Sequence, residues 1–213
     1  MLRIKNFSKS YAGNLIIAVP SQDFTTGIYW IKGENGSGKT TFFKSLAGII
    51  PCDGSIEFQD GVSLRDTPIK YRSRVSYSEA EPMYPSYLTS KDLITFIGKA
   101  RSASNDQQQS LIKRFGIDTY YEKPCGTYST GMLKKLSLAI AFLGTPELII
   151  LDEPLITLDQ QARETLLILV NEYVRIHSSI VLISSHQLLD DLALEINAFF
   201  SITQHTLVPQ NKL

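Results

Sequence analysis

Little in this chain invites a covalent or metal framework. It has two cysteines in 213 residues, Cys52 and Cys125, far apart and without CxxC or Cys/His spacing. That excludes a disulfide scaffold and a zinc-ligand motif, and both read as ordinary thiols of a reducing cytosol. Charge of one sign is not in excess: Lys+Arg and Asp+Glu each number 21, for a formal net charge of zero. A dedicated nucleic-acid binder would carry a basic balance, so no nucleic-acid partner is expected. No apolar run approaches the ~18 residues of a membrane span. The opening "MLRIKNFSKSYAG" carries no apolar signal-peptide core. The expectation is a soluble chain that meets a membrane only through a partner.

What is there is a core-forming composition, 43% hydrophobic, and a change of pattern along the chain. "LRIKNF" alternates apolar and polar, as a half-exposed strand does. Further strands are expected at Leu15–Val19, Ile28–Lys32 and Ser55–Gln59. From Leu88 the spacing turns helical, with a capping threonine or serine in "LTSKDLITFIGKA", and Leu111–Phe115 reads as another short helix. "RSASNDQQQS" between them reads as a polar linker. A helix over Thr130–Phe142 leads into "ELIILDEP", whose unbroken aliphatics predict a strand buried on both faces of a parallel sheet. A helix near Gln160–Arg175, the strand "SIVLISSH", a helix from Leu188 and the strand "AFFSITQ" follow. This alternation predicts an α/β protein with a mainly parallel sheet, preceded by an antiparallel stretch and interrupted by a helical one.

The stretch "WIKGENGSGKTTFFKSLAG" puts a glycine-rich turn at a strand–helix seam. Gly33, Gly38, Lys39 and Thr40 fit G-x-x-x-x-G-K-[ST], the P-loop. Glycines let successive amides, from Glu34, Asn35, Gly36 and Ser37 through Thr41, turn inward around phosphate oxygens. The following helix aims its N-terminus at the same place. Lys39 would reach the β/γ-phosphates, and the Thr40 hydroxyl would bind Mg²⁺. "LIILDEP" then ends a buried strand on Asp152 and Glu153, costly carboxylates without a counter-charge such as an Mg²⁺–nucleotide. Asp152 would hold the metal through water, and Glu153 would orient and deprotonate the attacking water. The ligands expected are ATP and Mg²⁺.

Along nearly its whole length the chain resembles the ATP-binding cassette (ABC) ATPases. "GENGSGKTT" is similar to that family's P-loop. "YSTGMLKKLSLAIAFLGTPELIILDEPLITLD" is similar to its signature helix, Walker B strand and D-loop in unbroken order, and "SSH" to its switch-histidine segment. The resemblance implies a single P-loop NTPase (RecA-like) domain over 1–213, with a core and antiparallel β subdomain at about 1–75 and 145–213. A helical signature subdomain would span about 80–144. It implies that Ser129, Thr130, Gly131 and Met132 face ATP bound to the opposite subunit, that Asp159 lies across the dimer seam, and that His186 contacts the γ-phosphate. Tyr11 falls where the family stacks an aromatic on adenine. The implied partners are a second ABC subunit, identical or not, and a separate transmembrane permease. The chain would then sit in the cytoplasm, peripheral on the inner face of the cell membrane, as the ATPase subunit of an ABC transporter. The alternative is a soluble or regulatory ABC ATPase with weak or no turnover, not linked to transport.

Two departures stand out. The signature, commonly L-S-G-G-Q, here reads Tyr128-Ser129-Thr130-Gly131-Met132. The loop that in the family carries a glutamine near Mg²⁺ and the attacking water carries Ala80 between Glu79 and Glu81. Either a neighbouring glutamate substitutes, or hydrolysis is slow, or coupling to the partner is altered. The "EPMYPSYLT" that follows reads as a proline-stiffened segment with exposed tyrosines, a handle for a partner or a rigid cap for the next helix.

Overall fold

The computed structural model describes residues 1–185 and 194–210. It begins with an antiparallel hairpin of β1 (Leu2–Tyr11) and β2 (Asn14–Phe24). β3 (Gly27–Lys32) runs through the glycine turn into α1 (Lys39–Leu46), and β4 (Asp53–Phe58) returns to pair antiparallel with β1. Next come α2 (Pro68–Ser73), β5 (Val75–Ser78), and the helices α3 (Ser90–Ala100), α4 (Asn105–Arg114) and α5 (Thr130–Ala141). β6 (Leu148–Leu151), α6 (Gln160–His177), β7 (Ile180–Ser184), β8 (Ile196–Thr203) and β9 (Thr206–Gln210) complete the described chain. The helix expected from Leu188 and the candidate His186 lie outside the described residues.

The strands form one sheet in the order β4-β1-β2-β9-β8-β3-β7-β6-β5. β5, β6, β7, β3 and β8 pair in parallel, while β1 pairs antiparallel with both β2 and β4. Period-two alternation explains why this centre needs apolar residues at every position. Ile28, Trp30, Ile149, Leu151, Val181 and Ile183 face the core under α3 to α6. Their neighbours Tyr29, Ile31, Leu148, Ile150, Ile180 and Leu182 face the core containing α1 and the antiparallel strands. The aliphatic run Leu148–Leu151 is fully buried, as its composition implies.

Local chemistry sets the helix starts. Thr89 closes a capping box with Asp92 at the head of α3, which begins two positions after the expected Leu88. The stretch read as a polar linker is instead mostly α4, capped by Ser104, whose hydroxyl accepts from Gln107 N. Gln107 holds this helix to the core: its amide donates to the Gly144 carbonyl at 2.8 Å and its oxygen accepts from Gly144 N at 2.9 Å. The same amide lies 2.9 Å from the Tyr173 hydroxyl. A strand not expected from sequence, β9, pairs antiparallel with β8 and meets β2 at Ala18–Thr206. The "EPMYPSYLT" tyrosines also differ: Tyr87 is exposed, but Tyr84 packs against the helical core. Both cysteines are free, and among the described residues no helix is long and apolar enough to cross a membrane.

Because Gln107→Ala leaves Gly144 N without its side-chain acceptor and Gly144 O with only the longer 3.3 Å bond from the Tyr173 hydroxyl, it should destabilise the fold by about 1–3 kcal/mol. Urea unfolding measures this, and an unchanged midpoint would show that α4 docks by other means.

Candidate functional site

The carboxyl ends of β3, β7 and β6 lie side by side, and each contributes to one cluster. The turn after β3 closes with Ser37 N donating to Glu34 O at 3.1 Å, with Asn35 and Gly36 exposed at its tip. Gly33 begins the turn, and Gly38 ends it as the N-cap of α1 at φ 102°, a left-handed angle that a side chain resists. The Ser37 hydroxyl is buried with no hydrogen-bond partner among the described residues. A buried hydroxyl left so in a glycine-rich turn at a helix N-terminus suits an oxyanion ligand.

Lys39 is 6% exposed and bends back over this turn, its ammonium donating to Gly33 O at 2.6 Å and Glu34 O at 3.0 Å. Burial pushes its pKa below the usual lysine value, against the pull of Glu153 and Asp152. The next residue, Thr40, donates its hydroxyl to Asp152 Oδ2 at 2.7 Å. The Thr41 carbonyl, within α1, accepts from Ser45 Oγ.

Asp152 is completely buried, and three hydroxyls converge on it. Besides Thr40, Ser184 at the end of β7 donates to Oδ1 at 2.6 Å, and Tyr77 of β5 donates to Oδ2 at 3.3 Å. Burial first, and the charge of Asp152 second, push the Tyr77 pKa far up, so its proton stays on. Glu153 is 7% exposed and sits at φ 44°, a left-handed angle rare for a residue with a side chain. Its backbone N donates to Ser184 Oγ at 3.0 Å, so one serine fixes both acidic residues. Strain of this kind collects at working sites.

Thr40 and Asp152 present hard oxygen donors at hydrogen-bond distance from each other. Among the described residues no three His, Cys, Asp or Glu gather to hold a metal. As hard oxygen donors, Thr40 and Asp152 suit Mg²⁺, whose coordination is usually completed by water and phosphate oxygens rather than a protein cage. The loop tip, Ser185, the end of β8 from Ser201 and the Gln204–His205 turn after it line a cavity of about 970 Å³. His205, read from sequence as structural, lines it with Nδ1 3.0 Å from the Ile16 carbonyl. Tyr11 stands outside the residues lining that cavity, half-exposed, with Lys9 Nζ 4.7 Å over its ring.

The signature residues cap α5: Ser129 Oγ accepts from Met132 N at 3.2 Å, and Thr130 begins the helix. Gly131 lies under the loop after β6, where an added Cβ would come within 3.0 Å of the Thr157 carbonyl. Tyr128 has a structural use, since its hydroxyl meets Ser90 Oγ at 2.8 Å, Lys123 O at 2.9 Å and Tyr120 O at 3.0 Å. Asp159 caps α6 by accepting from Ala162 N at 2.8 Å and pairs with Lys135. The Lys135 hydrogen bond, then that amide, hold its carboxyl below the usual range. Sequence reasoning named neither Ser184, Tyr77 nor Lys134. Ser184 alone had a signal, its place at the end of the buried strand in "SSH". Lys134, 1% exposed on α5, has its pKa lowered to about 8 by burial despite Asp152, Glu153 and Glu79 nearby.

A family model described as "ABC transporter" matches residues 24–156. The chain is 32% identical over 193 residues to the ABC transporter ATP-binding protein YtrB of Bacillus subtilis, covering 89% of this chain and 65% of that one. It is 30% identical over 194 residues to the human ATP-binding cassette sub-family A member 2, covering 86% of this chain but 8% of that protein. It therefore spans less than two thirds of either relative. A solved structure described as an ATP-binding subunit of an ABC transporter superposes with a TM-score of 0.87 at 25% identity, covering 97% of this chain and 88% of that one. With that family model matching more than half of its residues, the chain belongs to the ABC transporter family.

Proposed function

We propose that this chain binds Mg²⁺–ATP at the β3–α1 loop, hydrolyses it, and as a dimer drives a separate membrane-spanning partner from the cytoplasmic face. The observation that carries the reading is the 2.7 Å contact between Thr40 Oγ1 and Asp152 Oδ2, which joins the P-loop to the acidic strand end. Lys39 would leave the Gly33 and Glu34 carbonyls and offset phosphate charge. The unpartnered Ser37 hydroxyl and the loop amides would donate to the phosphate oxygens. Glu153, its backbone fixed by Ser184, is the candidate to take a proton from the attacking water. When bound, Mg²⁺ would supply stabilisation of developing phosphate charge; Thr40 and Asp152 are the residues that would hold it.

Dimerisation would place Ser129, Thr130, Gly131 and Met132 against nucleotide held by the other subunit, with Asp159 at the seam and Tyr11 stacking on the base. The site for the membrane partner is the 400 Å³ groove lined by Ile49, Tyr77, Met83, Ile97 and Arg101. Met83 is 88% exposed and Ile49 54% exposed beside it; apolar side chains grouped at a groove favour a protein partner. One observation favours a second reading, nucleotide binding with weak turnover: the residue between Glu79 and Glu81 is Ala80, whose methyl can orient no water.

Lys39→Ala should abolish ATP binding, as read by a fluorescent nucleotide, because the phosphate charge then lacks its cation. Undiminished affinity would place the triphosphate elsewhere. Glu153→Gln should still bind ATP but hydrolyse it roughly 10²–10⁴-fold more slowly, and should elute as a dimer with ATP and a monomer without. Parental turnover in that variant would remove Glu153 as the base. An inactive parent that still binds ATP would favour the weak-turnover reading.

A further inference from the structure

Lys134 is a buried cation that the proposed chemistry leaves without a task. Its ammonium donates to three backbone carbonyls, Glu79 O at 2.7 Å, Asp152 O at 3.0 Å and Ala80 O at 3.1 Å. Three donors meet three acceptors, so the group is fully satisfied. Packing alone does not require a charge here: an apolar side chain of similar volume fills such a position without the desolvation cost of an ammonium. The three carbonyls belong to two segments of the candidate site. One is the loop that follows β5; the other is the strand end that carries Asp152 and Glu153.

We infer that Lys134 is a positioning residue that clamps the Glu79–Ala80 loop to the Asp152–Glu153 strand end. The inference rests on the ATPase reading of the same site. Ala80 offers no polar side-chain atom, so the loop's tie to the acidic strand end runs through main-chain carbonyls. Two further contacts steady the same junction: Asp152 N donates to Ser78 O at 2.9 Å, and Ser78 Oγ lies 2.9 Å from Ser137 Oγ of α5. On the other side of the loop, Glu79 reaches Lys44 of α1 at 3.8 Å. Lys134 stands five residues beyond Ser129 on the same helix. A shift of the signature end of α5 is therefore carried by one side chain to both the loop and the metal-binding strand end. Displacement of reacting groups by about 1 Å can cost about 10²-fold in rate, so a loosened clamp should lower turnover far more than affinity.

The test compares Lys134→Met, which keeps the volume and removes the donors, with Lys134→Gln, which keeps an amide donor on a shorter stem. Lys134→Met should lower kcat about 10- to 100-fold while the KM for ATP stays within about threefold, and Lys134→Gln should show the same split with a smaller loss. In nucleotide-free protein, amide hydrogen exchange over 79–81 and 152–153 should rise in Lys134→Met while exchange in β1, β2 and α6 matches the parent. This arm needs no ATP, so it tests the clamp even if the chain turns none over, and an inactive parent would count against the ATPase reading alone. Parental kcat in either folded variant would overturn the inference, as would exchange that rises evenly across the chain. If Lys134→Met does not fold, a Lys134→Gln protein with parental kcat and parental exchange at 79–81 overturns it equally.

Discussion

One hydrogen bond, from the Thr40 hydroxyl to Asp152, sets the demands that the rest of the fold meets. Its two ends are 112 residues apart in sequence and belong to different strand–helix units. Bringing them together requires β3 and β6 in one sheet, separated only by β7, with all three running the same way. That in turn requires strands buried on both faces, hence the aliphatic runs of β6 and β7 and helices above and below. Ser184 shows how closely the arrangement is specified. It lies at the end of the intervening strand, and its hydroxyl reaches both Asp152 and the backbone of Glu153.

The same junction concentrates charge where water is scarce. Lys39, Lys134, Asp152 and Glu153 are each less than a tenth exposed, two of either sign. Ionised groups persist in such surroundings only when paired and hydrogen-bonded, and the pairing contributes little net stability compared with an apolar replacement. Their retention is understandable if a charged ligand reorganises them. Lys39 now satisfies itself on the carbonyls of its own loop, contacts an incoming anion could take over. Lys134 is different: its partners are main-chain carbonyls at the junction of loop and strand end, which suits a brace rather than a ligand.

Much of this was legible in the sequence, for identifiable reasons. β6 announced itself because a strand buried on both faces has no polar position to hide it. The loop from Gly33 to Lys39 was readable because phosphate binding restricts the backbone to glycine-rich patterns. α4 was misread because its first turns, Asn105 to Ser110, are polar all round, and the apolar pair Leu111–Ile112 comes at its end. β9 is five residues long and includes Pro209, and only its antiparallel pairing with β8 and its contact with Ala18 make it a strand. Lys134 could not be read at all. A lysine within a helix ordinarily marks a solvated face, and its burial depends on three carbonyls supplied by segments 54, 55 and 18 residues away. The absence of a glutamine at position 80 was visible, but the contacts that surround the alanine were not.

The central claim is that the Thr40–Asp152 contact marks where a metal-bound triphosphate sits. The most direct measurement is a crystal structure with a non-hydrolysable ATP analogue and Mg²⁺. The account predicts Lys39 moved from the Gly33 and Glu34 carbonyls onto phosphate oxygens, with the metal held beside Thr40 and Asp152. Nucleotide bound elsewhere, with Lys39 still on its own loop and no metal near Thr40 or Asp152, would contradict it.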